Sequence, residues 1–126
     1  MFRKSDADIL QLHSLEPDEM QQLRDDGVRL IRAVSPVRHE ALRFSEIVHA
    51  ILFESGVPGT GTVYDYSEVP IDVCRRAIIA GGLAISNVHK ALAKNPYALD
   101  VSSGVERSPG RKDPALVSEF IRRCKQ

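Results

Sequence analysis

Apolar residues fall along this chain in short runs, separated by stretches where they recur every third or fourth position. The first run, Ile9, Leu10, Gln11 and Leu12, closes on His13 and reads as a strand. Glu16, Pro17, Asp18 and Glu19 follow, and a proline near the first helical position with early acids marks a helix start. Met20 and Leu23 give that helix an apolar face until Gly27 stops it. Residues 28–34 form a second strand. Ala41, Leu42, Ile47 and Val48 then stand at helical spacing across 38–48, and residues 50–55 make a third strand. Gly56, Pro58, Gly59 and Gly61 break the pattern, and residues 66–76 are expected to form a short helix interrupted at Pro70. Residues 77–80 form a fourth strand that ends at Gly81 and Gly82. Ser86 is expected to cap a helix running to about Ala93, and residues 97–101 form the fifth strand. A final helix begins at Asp113 and Pro114, with Leu116, Val117, Phe120, Ile121 and Cys124 on one stripe.

Strands that alternate with helices imply an α/β fold with a parallel sheet covered on both faces. Two architectures satisfy this: a doubly wound sheet and a β/α barrel. Polar residues collect where the strands end: Gln11 and His13, Glu54 and Ser55, Gly81 and Gly82, Asp100, Ser102 and Ser103. That distribution suits a barrel rim. Five strands cannot close an eight-stranded barrel, and 126 residues are about half of the roughly 250 usual for one. The expected fold is therefore a partial (β/α)8 barrel, five parallel strands with helices, as a single domain over residues 1–126.

Composition narrows the function. Basic and acidic residues number 17 each, so no net field steers the chain onto nucleic acid or an anionic membrane. The longest apolar or glycine run, residues 77–85, is far below the ~20 residues that cross a bilayer, and the first residues lack a signal-peptide core. A cytoplasmic protein is expected. Cys74 and Cys124 stand apart, with no spacing that suggests a metal site or a disulfide framework, and read as buried structural thiols. His39, His49 and His89 read as exposed helix positions.

The strongest chemical signal is a pair of small-residue turns after consecutive strands. One holds Ala80, Gly81, Gly82 and Leu83 ahead of Ser86 and Asn87; the other runs through Asp100, Val101, Ser102, Ser103, Gly104, Val105 and Glu106. Glycine lets backbone N–H groups approach an anion closely, and a helix N-terminus adds donors with a favourable dipole. Loops after the last two strands of a barrel frequently hold a phosphate. Ordinary turns with a serine cap are the simpler reading of either turn alone. A second signal is the glycine-rich loop of Pro58, Gly59, Thr60, Gly61 and Thr62, which delivers Asp65 between Tyr64 and Tyr66. Desolvation by two rings would raise the Asp65 pKa and suit a general acid, whereas spacing alone suits a helix N-cap.

Taken together, Gln11, Leu12 and His13, the loop from Gly59 to Asp65, the Gly81–Gly82–Leu83 turn with Asn87 and Val88, and the stretch from Asp100 through Ser102, Ser103, Gly104 and Glu106 to Pro109, Gly110, Lys112 and Asp113 resemble phosphoribosylanthranilate isomerase of tryptophan biosynthesis. Order and spacing match over nearly the whole chain, and the serine-serine-glycine segment is the most specific part. The resemblance implies a ribulose-phosphate-binding type of barrel, of which these residues cover strands four to eight. It also implies an Amadori rearrangement of N-(5-phosphoribosyl)anthranilate to an aminoketose, without metal or organic cofactor. Asp65 falls on the family's general acid, and Gly81, Gly82, Ser103 and Gly104 fall on its phosphate site. His13 and Asp100 are possible substrate contacts, with a satisfied interior histidine as the other reading of His13.

The chain departs from the family at Pro58, where a glycine is usual, at Thr62, where lysine is usual, at Tyr66, where tryptophan is common, and at Glu54, where aspartate is frequent. The family's basic cysteine on the first strand and its anthranilate-binding arginine lie before the matched region, and neither Cys74 nor Cys124 maps onto that base. The expected partners are therefore the phosphorylated sugar-anthranilate substrate and either three further barrel strands or a second copy, with neither nucleic acid nor membrane. A non-catalytic, phosphate-binding half-barrel module is the alternative.

Overall fold

The computed structural model describes residues 7–55 and 64–125. Five strands, β1 (Ile9–Leu12), β2 (Arg29–Val34), β3 (Ala50–Phe53), β4 (Ala77–Ile79) and β5 (Ala98–Leu99), form one sheet. Every neighbouring pair is parallel and the spatial order equals the chain order, β1-β2-β3-β4-β5. A doubly wound sheet needs a point where the strand order reverses, and this sheet has none. Sequential parallel strands with right-handed crossovers instead put all helices on one face, as in a barrel wall.

The core confirms that geometry by splitting in two. The larger cluster joins outward residues of the strands, Leu30, Ile51, Phe53 and Ile79, to Met20 of α1 (Pro17–Asp25), Ala41 of α2 (Arg38–Leu42), Val88 and Ala91 of α3 (Val88–Leu92) and Phe120 of α4 (Pro114–Cys124). The smaller contains strand residues alone, Ala33, Leu52 and Ala80, with Ile31 and Ile78 against it. The pairing Ala33 to Leu52 and Leu52 to Ile78 places these on the opposite, concave face. That face corresponds to a barrel interior. Its centre is closed by small side chains, with Ala33 and Ala80 only 4% and 3% exposed, while Ile9 at the β1 edge is 48% exposed.

Several elements are shorter than their hydrophobic spacing predicts. The expected helix over 38–48 is regular only in Arg38–Leu42. Beyond it the chain turns, with Phe44 buried and Arg24 of α1 donating to the carbonyls of Glu46 and Ile47 at 2.7 Å each. The expected helix over 66–76 is two separate 3-10 turns, Tyr66–Glu68 and Ile71–Val73, because Pro70 lacks the N–H a continuous helix would need there. Asn87, and not Ser86, precedes the first helical residue of α3. On α4 only Phe120 is fully buried, and Ile121 is 48% exposed, so the stripe is narrower than expected. A hairpin of β6 (Glu106–Ser108) and β7 (Arg111–Lys112) was not anticipated; it turns at Gly110, whose φ is +78°. Among the described residues no helix is long and apolar enough to cross a membrane.

Two side readings also change. His49 is not an exposed helix residue: it precedes β3, half-buried, and its Nδ1 accepts the Leu30 backbone N–H at 3.1 Å. Both cysteines are half-buried rather than buried, and burial pushes both thiols above their ordinary pKa.

Candidate active site at the carboxyl ends of the strands

All five strands end at the same edge, and the residues singled out by sequence sit there. After β4 the chain reverses through Gly81 (φ +90°) and Gly82 (φ +68°), two consecutive residues in the region that only glycine enters at little cost. Asn87 fixes this turn at both ends: its Oδ1 accepts the Ala84 N–H and its Nδ2 donates to the Gly82 carbonyl, each at 2.8 Å. The second turn, Ser103–Val105, lies against the first. A Cβ built on Gly104 would stand 1.8 Å from the Leu83 carbonyl oxygen and 2.8 Å from its carbon, so backbone meets backbone here. Lys112 of β7 steadies the second turn, donating to the Ser102 carbonyl at 3.0 Å and to Glu106 at 2.8 Å. The two glycine turns thus pack backbone to backbone, with the Tyr64 ring against Gly81. Lys112 and Asn87 hold the two turns from behind, and neither contact was legible as support in the spacing of motifs.

Asp65 is tied to these turns through its neighbours. The Tyr64 hydroxyl donates into the carbonyls of Ala80 (2.8 Å) and Phe53 (3.1 Å), and the Tyr66 hydroxyl donates to Gly81 (2.7 Å). The two rings meet edge to face with centroids 4.7 Å apart. Because both tyrosines turn inward, the residue between them turns outward, and Asp65 is exposed. Its carboxylate accepts from the Ser67 hydroxyl at 2.6 Å and the Ser67 N–H at 3.0 Å, capping the 3-10 turn. Those two hydrogen bonds hold its pKa below the ordinary carboxylate value. The expectation that flanking rings raise this pKa is therefore corrected: the rings pack on each other and leave Asp65 exposed and hydrogen-bonded to Ser67. Gly56, Pro58, Gly59, Thr60, Gly61 and Thr62 of the preceding loop lie outside the described residues.

At the other end of the rim, His13 after β1 meets Glu54 after β3, Nδ1 3.3 Å from Oε1. Beneath them Arg32 is 8% exposed. Its guanidinium donates to the carbonyls of Leu15 (3.0 Å), His13 (2.8 Å) and Ala33 and lies 4.5 Å above the Phe44 ring. An arginine between Leu30 and Val34 on the outward face of a strand was the sequence signal for such a buried cation, since it must find acceptors. Asp100 stands exposed after β5, its N–H donating to the Ile79 carbonyl at 3.0 Å.

Known proteins resemble this chain in sequence and in fold. The family model for N-(5'-phosphoribosyl)anthranilate (PRA) isomerase matches residues 1–123. The N-(5'-phosphoribosyl)anthranilate isomerase of Chromohalobacter salexigens is 36% identical over 121 residues, which are 90% of this chain and 57% of that protein. Among solved structures, phosphoribosyl anthranilate isomerase from Thermus thermophilus aligns with a TM-score of 0.83 at 31% identity, over 98% of this chain and 64% of that one. A phosphoribosyl anthranilate isomerase in complex with reduced 1-(o-carboxyphenylamino)-1-deoxyribulose 5-phosphate aligns with a TM-score of 0.76 at 32% identity, over 94% and 59%. The chain spans less than two thirds of the length of these relatives. The matched family model covers nearly all of the sequence, and the chain belongs to the N-(5'-phosphoribosyl)anthranilate isomerase family.

Proposed function

We propose that this chain carries the general acid and the phosphate cradle of an isomerase that converts N-(5'-phosphoribosyl)anthranilate to its 1-amino-1-deoxyketose. The observation that carries the reading is the packing of the Gly104 turn onto Leu83, which joins the two glycine turns into one anion-accepting surface beside the segment that holds Asp65. Gly81, Gly82, Ser103 and Gly104 bind the substrate phosphate through peptide groups. A relative in complex with reduced 1-(o-carboxyphenylamino)-1-deoxyribulose 5-phosphate, a phosphorylated ligand, supports that assignment.

In the reaction a proton delivered to the ribose ring oxygen breaks its bond to C1' and leaves an iminium. Loss of the C2' proton gives an enolamine, which gains a proton at C1' and loses one from its hydroxyl to become the ketone. Asp65 supplies the first proton. To do so it exchanges its Ser67 hydrogen bonds for contact with substrate, since those bonds stabilise the carboxylate and not the acid. His13 and Asp100 complete the substrate contacts from either end of the rim. The base comes from outside the two thiols of this chain. Cys74 precedes β4, at the opposite edge of the sheet from the rim, donating to the Arg76 carbonyl at 3.4 Å, and Cys124 ends α4. Three further β/α units of the same family are the expected source.

The test is an isomerase assay of the purified chain, alone and mixed with a family segment that carries the first-strand cysteine. Activity is expected in the mixture, falling at least ~100-fold with Asp65→Asn. An unchanged rate with Asp65→Asn overturns the acid assignment. If substitution at Gly82 also removes ligand binding, a phosphate-binding half-barrel module is what remains.

A further inference from the structure

The rim holds a cavity that neither Asp65 nor the glycine turns occupy. It measures about 300 Å³ and is lined by His13, Arg32, Ser35, Glu40 and Glu54, at the ends of β1–β3. His13 and Glu54 come from strands that are not neighbours, since β2 runs between them. Continuing the register past Leu12 and Phe53 sets His13 beside Ala33 and Glu54 beside Ser35, all on the concave face. Ala33 is short, so the longer side chains meet across it. Glu54 is 16% exposed and His13 49% exposed. A carboxylate with so little exposed surface gains from a donor, and the imidazole Nδ1 stands 3.3 Å away. The backbone of His13 is held independently by the buried Arg32, which donates to its carbonyl at 2.8 Å.

We propose that Glu54 is a positioning residue for His13. Its carboxylate accepts the Nδ1–H, which fixes the ring in the tautomer whose Nε2 carries a lone pair. That nitrogen accepts a hydrogen bond from a hydroxyl of the bound sugar phosphate, on the side of the rim away from the glycine turns. The substrate part of this statement rests on the isomerase reading; the tautomer does not. Arg32 and Glu54 thus divide one task, with Arg32 fixing the main chain of His13 and Glu54 its ring.

The test is 15N NMR of the full chain labelled at its four histidines, with His13→Asn assigning the signal, at pH 8. Magic-angle spinning serves if the chain associates. The wild type is expected to show a protonated Nδ1 and an unprotonated Nε2 at His13. Glu54→Ala shifts the ring to a mixture dominated by Nε2–H, and Glu54→Gln keeps Nδ1–H through its amide oxygen. Nε2–H in the wild type overturns the proposal without any variant, as does one unchanged tautomer in wild type and Glu54→Ala. A merely structural Glu54 would not move the tautomer. With reduced 1-(o-carboxyphenylamino)-1-deoxyribulose 5-phosphate as ligand, Glu54→Ala weakens binding about tenfold, as expected for one hydrogen bond. Equal affinity overturns the substrate contact while leaving the tautomer result to stand, and Asp65→Asn tests the isomerase reading separately.

Discussion

Asp65 illustrates how a single residue's environment is set by its neighbours' geometry. The Ser67 hydroxyl and N–H stabilise its ionised form, so its folded pKa lies below the unfolded one. The corresponding stability is present above the unfolded carboxylate range and is lost as pH falls through the folded value. Ser67→Ala removes the stronger of the two bonds, and the Asp65 carboxyl is expected to titrate closer to its ordinary value in 13C NMR; an unmoved midpoint refutes the assignment of cause. Two glycines separate steric from torsional demand in the same way. Gly104→Ala drives a Cβ into the Leu83 backbone, and a loss of at least about 1–3 kcal/mol is expected from urea unfolding, together with weakened phosphate binding. Gly27→Ala meets nothing within 4 Å and suffers only from its φ of +89°, so a loss of about 1–2 kcal/mol with ligand binding intact is expected.

Among the elements, β2 and β3 are joined by more than their ladder. His49, just before β3, accepts the Leu30 N–H with its Nδ1, which requires that nitrogen to be unprotonated. Burial first, then the charges of Arg24, Arg29 and Arg76, lower its pKa. A histidine that is harder to protonate when folded favours unfolding as pH drops. Its contribution is complete above the unfolded value near 6.5 and declines as pH falls below it. Thermal midpoints are expected to fall between pH 7 and 5.5, and His49→Gln, whose amide oxygen can still accept, is expected to flatten that decline. An identical slope in the variant removes His49 as its cause. The elements that departed from their sequence pattern did so for similar nonlocal reasons. Arg24 capturing Glu46 and Ile47 turns the chain after α2, where Ile47 and Val48 alone suggested continued helix.

For the molecule as a whole, the sheet has two edges that no described strand pairs with, β1 and β5. The β1 edge carries Ile9, 48% exposed, and beside β5 Tyr97 is 68% exposed. Concave-face residues Ile31, Ile78 and Ala50 line an open cavity of about 580 Å³ with Arg29 and Arg76. Unpaired ladders flanking an apolar concavity are templates for association. The isolated chain is expected to scatter light as a species larger than 14.0 kDa, and to become smaller and more cooperative in unfolding when complementary family strands are supplied. A monodisperse monomer in their absence contradicts this.

The sequence by itself determined the alternation of strands and helices, the shared polar edge and the glycine turns. Each of these reports a local property: side-chain periodicity follows whether a position is buried, and a positive φ selects glycine wherever it falls. It was enough to place Gly81 and Gly82 and to resemble one family, whereas Gly104 answers to a contact with the Leu83 backbone. Tertiary structure alone decided which residues meet. Strand order without a reversal settled barrel wall over doubly wound sheet, and Tyr64 and Tyr66 packing together turned Asp65 outward to Ser67. Register across β2 brought His13 to Glu54, 41 positions on in the chain. The β6–β7 hairpin that lends Lys112 to Ser102 has no apolar period to announce it, because its residues are mostly exposed and its stability comes from the turn it supports. Such contacts depend on register and on the packing of distant segments, which no window of neighbouring residues encodes.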